Sequence, residues 1–197
     1  MRYDTEHKQR TRTKVLEAAA QAIRNDGPER IGVAAVMAEA GLTHGGFYAH
    51  FKSKDELVAA AIGQMFEESR ARLARETDGR GAREGLAAYV DFYLSAKHRD
   101  ARGRGCPIAA LASDAPRLSD NVRAAFAEGV ARLTTVLAEK LEQSGTDEPQ
   151  MAARSMVAEL VGALSLARVE TDPATSNAIL RDSRTQLKRR FGLENVS

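Results

Sequence analysis

The chain has 197 residues, 43% of them hydrophobic and 28% charged, and a formal net charge of +2. This length supports one domain or two small ones with a buried core, and no apolar run approaches the roughly 18 residues of a membrane span. A single cysteine, Cys106, excludes an internal disulfide framework and indicates a cytoplasmic protein. The placement of the charge is more informative, because Lys8, Arg10, Arg12 and Lys14 cluster near the N-terminus.

The first part of the chain is predicted to hold four helices. Apolar residues at helical spacing predict a first helix over 11–25 and a second over 33–40, which Gly41 ends. Thr43 can serve as the N-cap of a third helix that ends near residue 50. Ser53 can cap a fourth helix that ends near residue 76.

Five more helices are predicted after a glycine-rich break at 77–81. They cover residues 86–94, 107–113, 120–143, 150–169 and 173–191, and a basic loop at 99–105 follows the first of them. The segment shows no strand pattern and no internal repeat. The predicted fold class is therefore all-α, with about nine helices in the whole chain.

The segment 33–50 has the form of a helix-turn-helix, in which a turn containing glycine joins two short helices. The small core that would hold the pair together is Val36, Met37, Leu42, Phe47 and Phe51. The exposed side of the third helix would then present Thr43, His44, Gly45, Tyr48 and His50. An ordinary helical hairpin with a flexible corner is the alternative interpretation.

Two adjacent glycines, Gly45 and Gly46, open this third helix, although glycine costs about 1 kcal/mol relative to alanine inside a helix. We interpret them as clearance that lets the helix backbone approach a DNA groove or a phosphate closely. Thr43 and Tyr48 could then bond phosphates and fix the register, while His44 could reach a base edge. This hypothesis makes the segment a DNA reader.

The sequence from Arg12 to Phe66 resembles the DNA-binding domain of the TetR family of transcriptional regulators. The matching segments are TKVLEAAAQAIRNDG, VAAVMAEAG and LTHGGFYAHFKSKDELV. The resemblance implies a helix-turn-helix DNA-binding domain over 7–67 and a helical ligand-binding and dimerisation domain over 82–192. It also implies that Thr43, Tyr48 and Lys54 contact phosphates. The DNA-contacting set expected from pattern and resemblance together is Thr43, His44, Gly45, Gly46, Tyr48, His50 and Lys54.

The chain departs from the family pattern at the second helix. Ile31 and Gly32 precede this helix without the usual hydroxyl cap, and Ala34 stands where many members carry arginine. Fewer side-chain contacts with DNA are therefore expected, within the same binding mode.

The resemblance further implies a homodimer that binds double-stranded operator DNA through two readers. The dimer would form through the last two helices, 150–169 and 173–191, and readers about 34–36 Å apart, or a multiple of that, predict a palindromic operator. Small residues that would allow close helix approach are Ala158, Gly162, Ala163 and Ala167. A helix buried within its own subunit is the alternative.

A pocket for an unidentified small-molecule or electrophile effector is also implied by the resemblance. Its candidate lining residues are Tyr89, Phe92, Tyr93, Cys106, Leu111, Phe126 and Met156. The alternative for most of them is packing in the core.

Cys106 is a predicted thiol sensor because of its position before Pro107. The residue before a proline avoids helical angles, so Cys106 is expected at the N-cap of the short helix 107–113. Nearby Arg102 and Arg104 would favour a thiolate there, whereas a buried small hydrophobe is the alternative. Effector binding or Cys106 modification is expected to move the short helix against the fourth helix and spread the readers.

An enzyme is not predicted. His44 and His50 lie six residues apart, which is not the i, i+4 spacing of helical metal ligands, and only His98, in a loop expected to be mobile, could assist Cys106. The sequence indicates no cofactor and no metal. A helical protein–protein adaptor that does not bind DNA is the alternative function, and the basic N-terminal cluster argues against it because such residues favour phosphate.

Overall fold

The computed structural model describes residues 2–194, and within that range helices are the only regular secondary structure, as the sequence predicts. These residues form nine α-helices and three short 3₁₀ helices. The α-helices are α1 (Arg2–Asp26), α2 (Val33–Glu39), α3 (Lys54–Thr77), α4 (Ala82–Tyr93), α5 (Ala96–Asp100), α6 (Pro107–Leu111), α7 (Asp120–Gln143), α8 (Pro149–Val169) and α9 (Pro173–Arg190). The 3₁₀ helices are His44–Ala49, which we call the reader helix, Arg102–Arg104 and Ala115–Arg117.

Helix α1 begins at Arg2, about two turns before the predicted start. The prediction rested on apolar periodicity, which begins only at Val15, the first residue of α1 that enters the core. Residues 6–14 are polar and exposed or half-buried, so the helical state of this part leaves no apolar pattern to detect. Lys8, Arg10 and Lys14 consequently lie on the exposed side of a helix rather than in a tail.

Helix α3 begins at a well-formed cap. The Ser53 hydroxyl accepts a hydrogen bond from the Glu56 backbone N–H at 3.1 Å, and the Glu56 carboxylate accepts one from the Lys52 N–H at 2.7 Å. These bonds satisfy backbone donors that the first turn of a helix leaves open. α3 therefore has a defined orientation as it leaves the reader helix.

The long helices α3 and α7 form the centre of the molecule. They approach closely because Gly129 of α7 has no side chain: a Cβ there would lie 2.1 Å from the Phe66 ring. Phe126 meets the same ring edge-on at 5.6 Å. Helices α1, α4 and α8 pack around this pair, and α9 packs on α8.

Helix α8 has apolar residues on two sides. One side faces the subunit's own core through Met156, Leu160, Leu164 and their small neighbours Ala163 and Ala167. The other side exposes Met151, Leu166 and Val169, the last with 73% of its surface accessible. The four small residues predicted for a dimer contact therefore fall into two groups. Ala163 and Ala167 are buried in the subunit, whereas Ala158 is exposed and Gly162 is half-buried.

The segment between α4 and α6 differs from the predicted mobile loop. It contains α5 and the 3₁₀ turn Arg102–Arg104, and His98 is buried with 6% of its surface accessible. Ser95 caps α5 by accepting a hydrogen bond from the His98 N–H at 3.1 Å. Short helices held by side-chain contacts with distant residues leave little periodicity, which is why the sequence indicated only a loop. No helix in the described part of the chain is long and apolar enough to cross a membrane.

Candidate DNA-binding surface and effector cleft

The reader helix is held against the core by two aromatic rings. Phe47 and Phe51 are 3% and 1% exposed, and their rings stack with centroids 5.8 Å apart. The turn before the helix needs glycine at position 41, where φ is +75°. The segment is 3₁₀ rather than the predicted α-helix, but it occupies the predicted residues.

The two glycines of the reader helix have different surroundings. A Cβ on Gly45 would have no atom within 4 Å, so packing inside the subunit does not require glycine at this position. A Cβ on Gly46 would point towards Met37, 3.6 Å away, and Thr43. The absence of a side chain at Gly45 therefore leaves room for another molecule to approach the outer surface, whereas Gly46 faces the subunit.

The outer side of the reader helix is polar and accessible. Thr43, His44 and Gly45 are exposed, and Tyr48 is 72% exposed although it is a large aromatic residue. Thr43 holds the N-cap position with extended backbone but makes no capping hydrogen bond. Its hydroxyl therefore remains available to a ligand outside the subunit.

Two of the predicted DNA contacts are already engaged within the chain. His50 is half-buried, its Nδ1 is buried without a hydrogen-bond partner, and burial together with the charges of Lys8 and Arg12 lowers its pKa. The Lys54 ammonium donates to the Glu29 carbonyl oxygen at 2.8 Å, which uses one of its three donors. The accessible part of the predicted set is therefore Thr43, His44, Gly45 and Tyr48.

Arg12 has a structural role that the charge pattern did not reveal. Its Nη1 donates to the His50 carbonyl oxygen at 2.6 Å, and its guanidinium lies 4.2 Å from the centre of the Phe51 ring. Because these contacts are 38 residues apart in sequence, no local pattern could have indicated them. Arg12 thus joins α1 to the end of the reader helix, while Lys8, Arg10 and Lys14 leave the exposed side of α1 positively charged.

A cleft of about 1390 Å³ opens between α1, α2 with the turn before it, α3, α4 and the segment 96–106. Four of the predicted pocket residues line it: Tyr89, Phe92, Tyr93 and Cys106. The other three, Leu111, Phe126 and Met156, pack in the core and are not among its lining residues. Apolar periodicity marks every inward side of a helix alike, so it could not separate the wall of a cleft from the core.

Cys106 lies at the inner end of this cleft beside His98. The Cys106 backbone N–H donates to His98 Nε2 at 3.2 Å, and His98 Nδ1 lies 2.8 Å from the Tyr93 carbonyl oxygen. Nδ1 must therefore carry the proton, since the carbonyl can only accept. Burial lowers the pKa of His98 to about 4, which agrees with a neutral ring.

This arrangement removes His98 as a base for the thiol. Its single lone pair already accepts the Cys106 amide hydrogen, and its single N–H is donated to Tyr93. A cysteine nucleophile needs an adjacent group that can take its proton. The geometry therefore does not form a Cys–His catalytic pair.

Arg168 of α8, rather than Arg102 or Arg104, interacts with the buried groups at this end of the cleft, although it is not a lining residue. Arg102 is exposed and Arg104 lies on the outer part of the lining. Arg168 donates from Nε to the Arg99 carbonyl oxygen at 3.1 Å and from Nη2 to the His98 carbonyl oxygen at 3.3 Å. Gly105 makes room for it, because a Cβ at that position would lie 2.6 Å from Nη2.

The comparisons with known proteins agree along the length of the chain. The family model described as bacterial regulatory proteins, tetR family, matches residues 15–61, and the model described as transcriptional regulator LmrA/YxaF-like, C-terminal domain, matches residues 82–181. The HTH-type transcriptional regulator LmrA of Bacillus subtilis (strain 168) is 28% identical over 149 residues, which cover 75% of this chain and 79% of LmrA. The HTH-type transcriptional regulator TtgR of Pseudomonas putida is 36% identical over 78 residues, which cover 40% of this chain and 37% of TtgR.

Solved structures show the same fold. A transcriptional regulator of the TetR family from Agrobacterium tumefaciens superposes with a TM-score of 0.75 at 27% identity, covering 91% of this chain and 98% of that one. The reduced form of NemR from E. coli gives a TM-score of 0.79 at 22% identity, covering 91% of this chain and 95% of that one.

The reader helix and the helical body behind it define a DNA-binding transcriptional regulator with a helix-turn-helix. The chain belongs to the TetR family of transcriptional regulators.

Proposed function

We propose that this regulator is a cytoplasmic repressor that binds a palindromic operator as a homodimer and releases it when an effector occupies the cleft. The observation that carries the DNA-binding part is the reader helix, whose aromatic residues Phe47 and Phe51 support it from inside while Thr43, His44, Gly45 and Tyr48 face outward. The exposed cations of α1 lie on the helix whose Arg12 holds the end of this reader. Polar groups beside fixed cations suit a phosphate backbone next to a groove.

Each exposed residue has a separate role in this proposal. The Thr43 and Tyr48 hydroxyls bond phosphates and fix the register, and the remaining Lys54 donors add a third phosphate contact. His44 reaches a base edge, while Gly45 lets the backbone approach the groove. His50 supports the reader through its carbonyl bond to Arg12 rather than by contact with DNA.

The exposed apolar side of α8 supports dimerisation through α8 and α9. Met151, Leu166 and Val169 are accessible on one helix, and Gly162 between them has no atom within 4 Å of a Cβ position. A second subunit packed there would cover these apolar groups, and the glycine would allow close approach of two helices. The expected assembly is a four-helix bundle with one reader on each subunit.

The segment 96–105 offers a route from the cleft to the reader. At one end Arg99 donates to Ser176 Oγ at 2.8 Å and to Asn177 Oδ1 at 2.9 Å on α9. At the other end Gly103 packs on α1 so closely that a Cβ would lie 3.1 Å from Asn25 Oδ1. Movement of this segment would therefore act on α1, and through Arg12 on the reader. This route adds to the predicted one through α6, which contacts both α1 and α3.

Modification of Cys106 is the second way in which this segment could be moved. The side chain is only 5% exposed and shares the inner end of the cleft with His98 and Tyr93. An added group would have to displace these neighbours, which would shift the segment 96–105 attached to them. Alkylation of Cys106 should therefore be slow in the free protein and should weaken operator binding once complete.

A direct test compares two glycines at which an added side chain meets no obstruction. Gly45→Glu places a carboxylate on the outer side of the reader, whereas Gly63→Glu makes the same change on α3, where a Cβ also has no atom within 4 Å. Binding to DNA from upstream of the chain's own gene is measured by gel mobility shift, and the assembly state by sedimentation. We expect binding to be lost only with Gly45→Glu, while both variants remain dimers; unchanged binding by Gly45→Glu would refute the placement.

A further inference from the structure

The inner end of the cleft contains hydrogen-bond donors without matching acceptors. The Tyr93 hydroxyl is buried without a hydrogen-bond partner, although the residue lines the cleft and is only 4% exposed. The Cys106 thiol is close enough to act as a weak hydrogen-bonding neighbour of this hydroxyl, but the contact lacks the geometry of a full hydrogen bond. Buried polar groups in proteins are normally paired, so an unpaired hydroxyl at the wall of a cleft points to a missing partner.

Arg168 provides a second set of donors just behind this end: it is not itself a lining residue, but its Nη2 lies directly behind the lining residue Gly105. Two of its five N–H groups bond the carbonyl oxygens of Arg99 and His98, and no carboxylate among the described residues forms an ion pair with it. Burial lowers the pKa of this guanidinium, because its charge is partly removed from water. Asp100 acts on Arg168 only from a distance, and its carboxylate is bonded to Arg99. A partly buried positive charge without a directly bonded counterion is costly, and an anion beside it would offset that cost.

The lining of the whole cleft is positively charged, like Arg168. Lysine and arginine outnumber aspartate and glutamate by seven to four among the residues that line the cleft. One of these cations, Arg24, is already paired with Glu68 at 2.6 Å. The wall also offers an aromatic surface, where the Phe92 ring stacks on His98 at 5.1 Å and the Arg72 guanidinium lies 4.5 Å from its centre.

We propose that the cleft binds an organic anion, with an aromatic or apolar body against Phe92 and a carboxylate-like head group between the Tyr93 hydroxyl and the Arg168 guanidinium. The inference rests on the proposed role of the cleft as an effector site and names the class of effector. Burial raises the pKa of Tyr93 well above its usual value, so the hydroxyl remains a donor at neutral pH. A neutral analogue of the same shape would leave the guanidinium without a directly bonded counterion.

The test uses two probes that differ only in the charge of the head group. Naphthalene-2-carboxylate and naphthalene-2-carboxamide are titrated into the full-length protein and followed by calorimetry. We expect the wild-type protein to bind the carboxylate at least about tenfold more tightly than the amide, the range of one charge-assisted hydrogen bond. Equal affinity for the two probes, or no binding of the carboxylate at about 1 mM, would overturn the proposal.

Three variants locate the head group. Tyr93→Phe removes only the unpaired hydroxyl, so the fold should be retained, and Arg168→Gln removes the guanidinium. Arg102→Gln makes the same change in charge at an exposed position nearby. We expect the first two variants to lose the preference for the carboxylate and Arg102→Gln to keep it; a preference that survives in Tyr93→Phe would contradict this placement.

Operator binding is measured separately by fluorescence anisotropy, with and without each probe. If the carboxylate binds in a Tyr93-dependent manner but leaves operator affinity unchanged, the anion site stands and the effector-controlled repressor fails. If the amide binds as well as the carboxylate and releases the operator equally, the repressor stands and the anion inference fails.

Discussion

The reader helix and the inner end of the cleft, which α1 connects, are very different environments. At the reader, buried aromatic rings and the Arg12–His50 contact form a small, well-packed support, and the polar groups intended for another molecule lie outside it. At the inner end of the cleft, the Tyr93 hydroxyl is buried without a full hydrogen bond, and the neighbouring Arg168 guanidinium is half-buried without a directly bonded carboxylate. Under the proposed function, the DNA surface would be formed in advance, whereas the effector site would become complete only with its ligand.

The largest expected effect tests whether the reader depends on its own small core. Phe47→Ala should remove about 3–5 kcal/mol of stability, because Phe47 is almost fully buried. Tyr48→Ala, at the neighbouring and 72% exposed position, should change stability by less than about 0.5 kcal/mol. Thermal unfolding and operator anisotropy measured on both variants should show a loss of stability in the first and a loss of affinity alone in the second. A folded, fully stable Phe47→Ala variant would contradict the described support.

The second prediction concerns the pH dependence of the cleft. His98 has a pKa of about 4 in the folded protein and about 6.5 when unfolded, so the unfolded state binds more protons between these values. Stability from this group is therefore complete above pH 6.5 and is lost as the pH falls towards 4. The shift corresponds to about 3 kcal/mol.

Chemical denaturation at about pH 7 and at about pH 4.5 measures how much unfolding free energy is lost as His98 becomes protonated in the unfolded state. These two pH values span most of the range between the two pKa values. His98→Gln cannot titrate and should show a smaller difference between the two pH values than the wild type. An identical pH dependence in both proteins would mean that burial does not hold His98 neutral in the folded protein.

How much the sequence could predict also differs between the two regions. The reader, Gly41, Ser53 and the start of α7 at Asp120 follow from local patterns, because caps, turns and helical spacing involve residues a few positions apart. The inner end of the cleft joins Tyr93, His98 and Arg168, and the last two are 70 residues apart in sequence. Their partnership is created by packing, and a lone cysteine was the only local signal near it. The same limit explains why Arg12 was taken as a DNA cation rather than as a support for the reader.

The third prediction tests the connection between the two regions. Gly103→Val should push the segment 96–105 away from Asn25 and Gln21 of α1, whereas Arg102→Ala alters an exposed neighbour. We expect Gly103→Val to retain operator and probe binding but to lose most of the coupling between them. Coupling free energies of about 1–3 kcal/mol are usual, so the probe-induced change in operator affinity should fall from about 5–150-fold towards none. Normal coupling in Gly103→Val would place the route elsewhere, with α6 as the next element to test.

The smallest expected effect is a gain in stability, whereas most substitutions lower the stability of a protein. Tyr93→Phe removes a buried hydroxyl that has no partner, so the free protein should gain about 1 kcal/mol of stability, because a buried unsatisfied polar group costs about that much or more. Thermal unfolding without ligand measures this gain, and the Tyr48→Phe change at the exposed reader provides a control in which stability should not move. With saturating naphthalene-2-carboxylate the order should reverse, since the wild type alone gains the full linkage from ligand binding. If Tyr93→Phe is less stable than the wild type in the absence of ligand, the hydroxyl is already hydrogen-bonded within the subunit. The distinction between a complete reader and an incomplete cleft would then no longer hold.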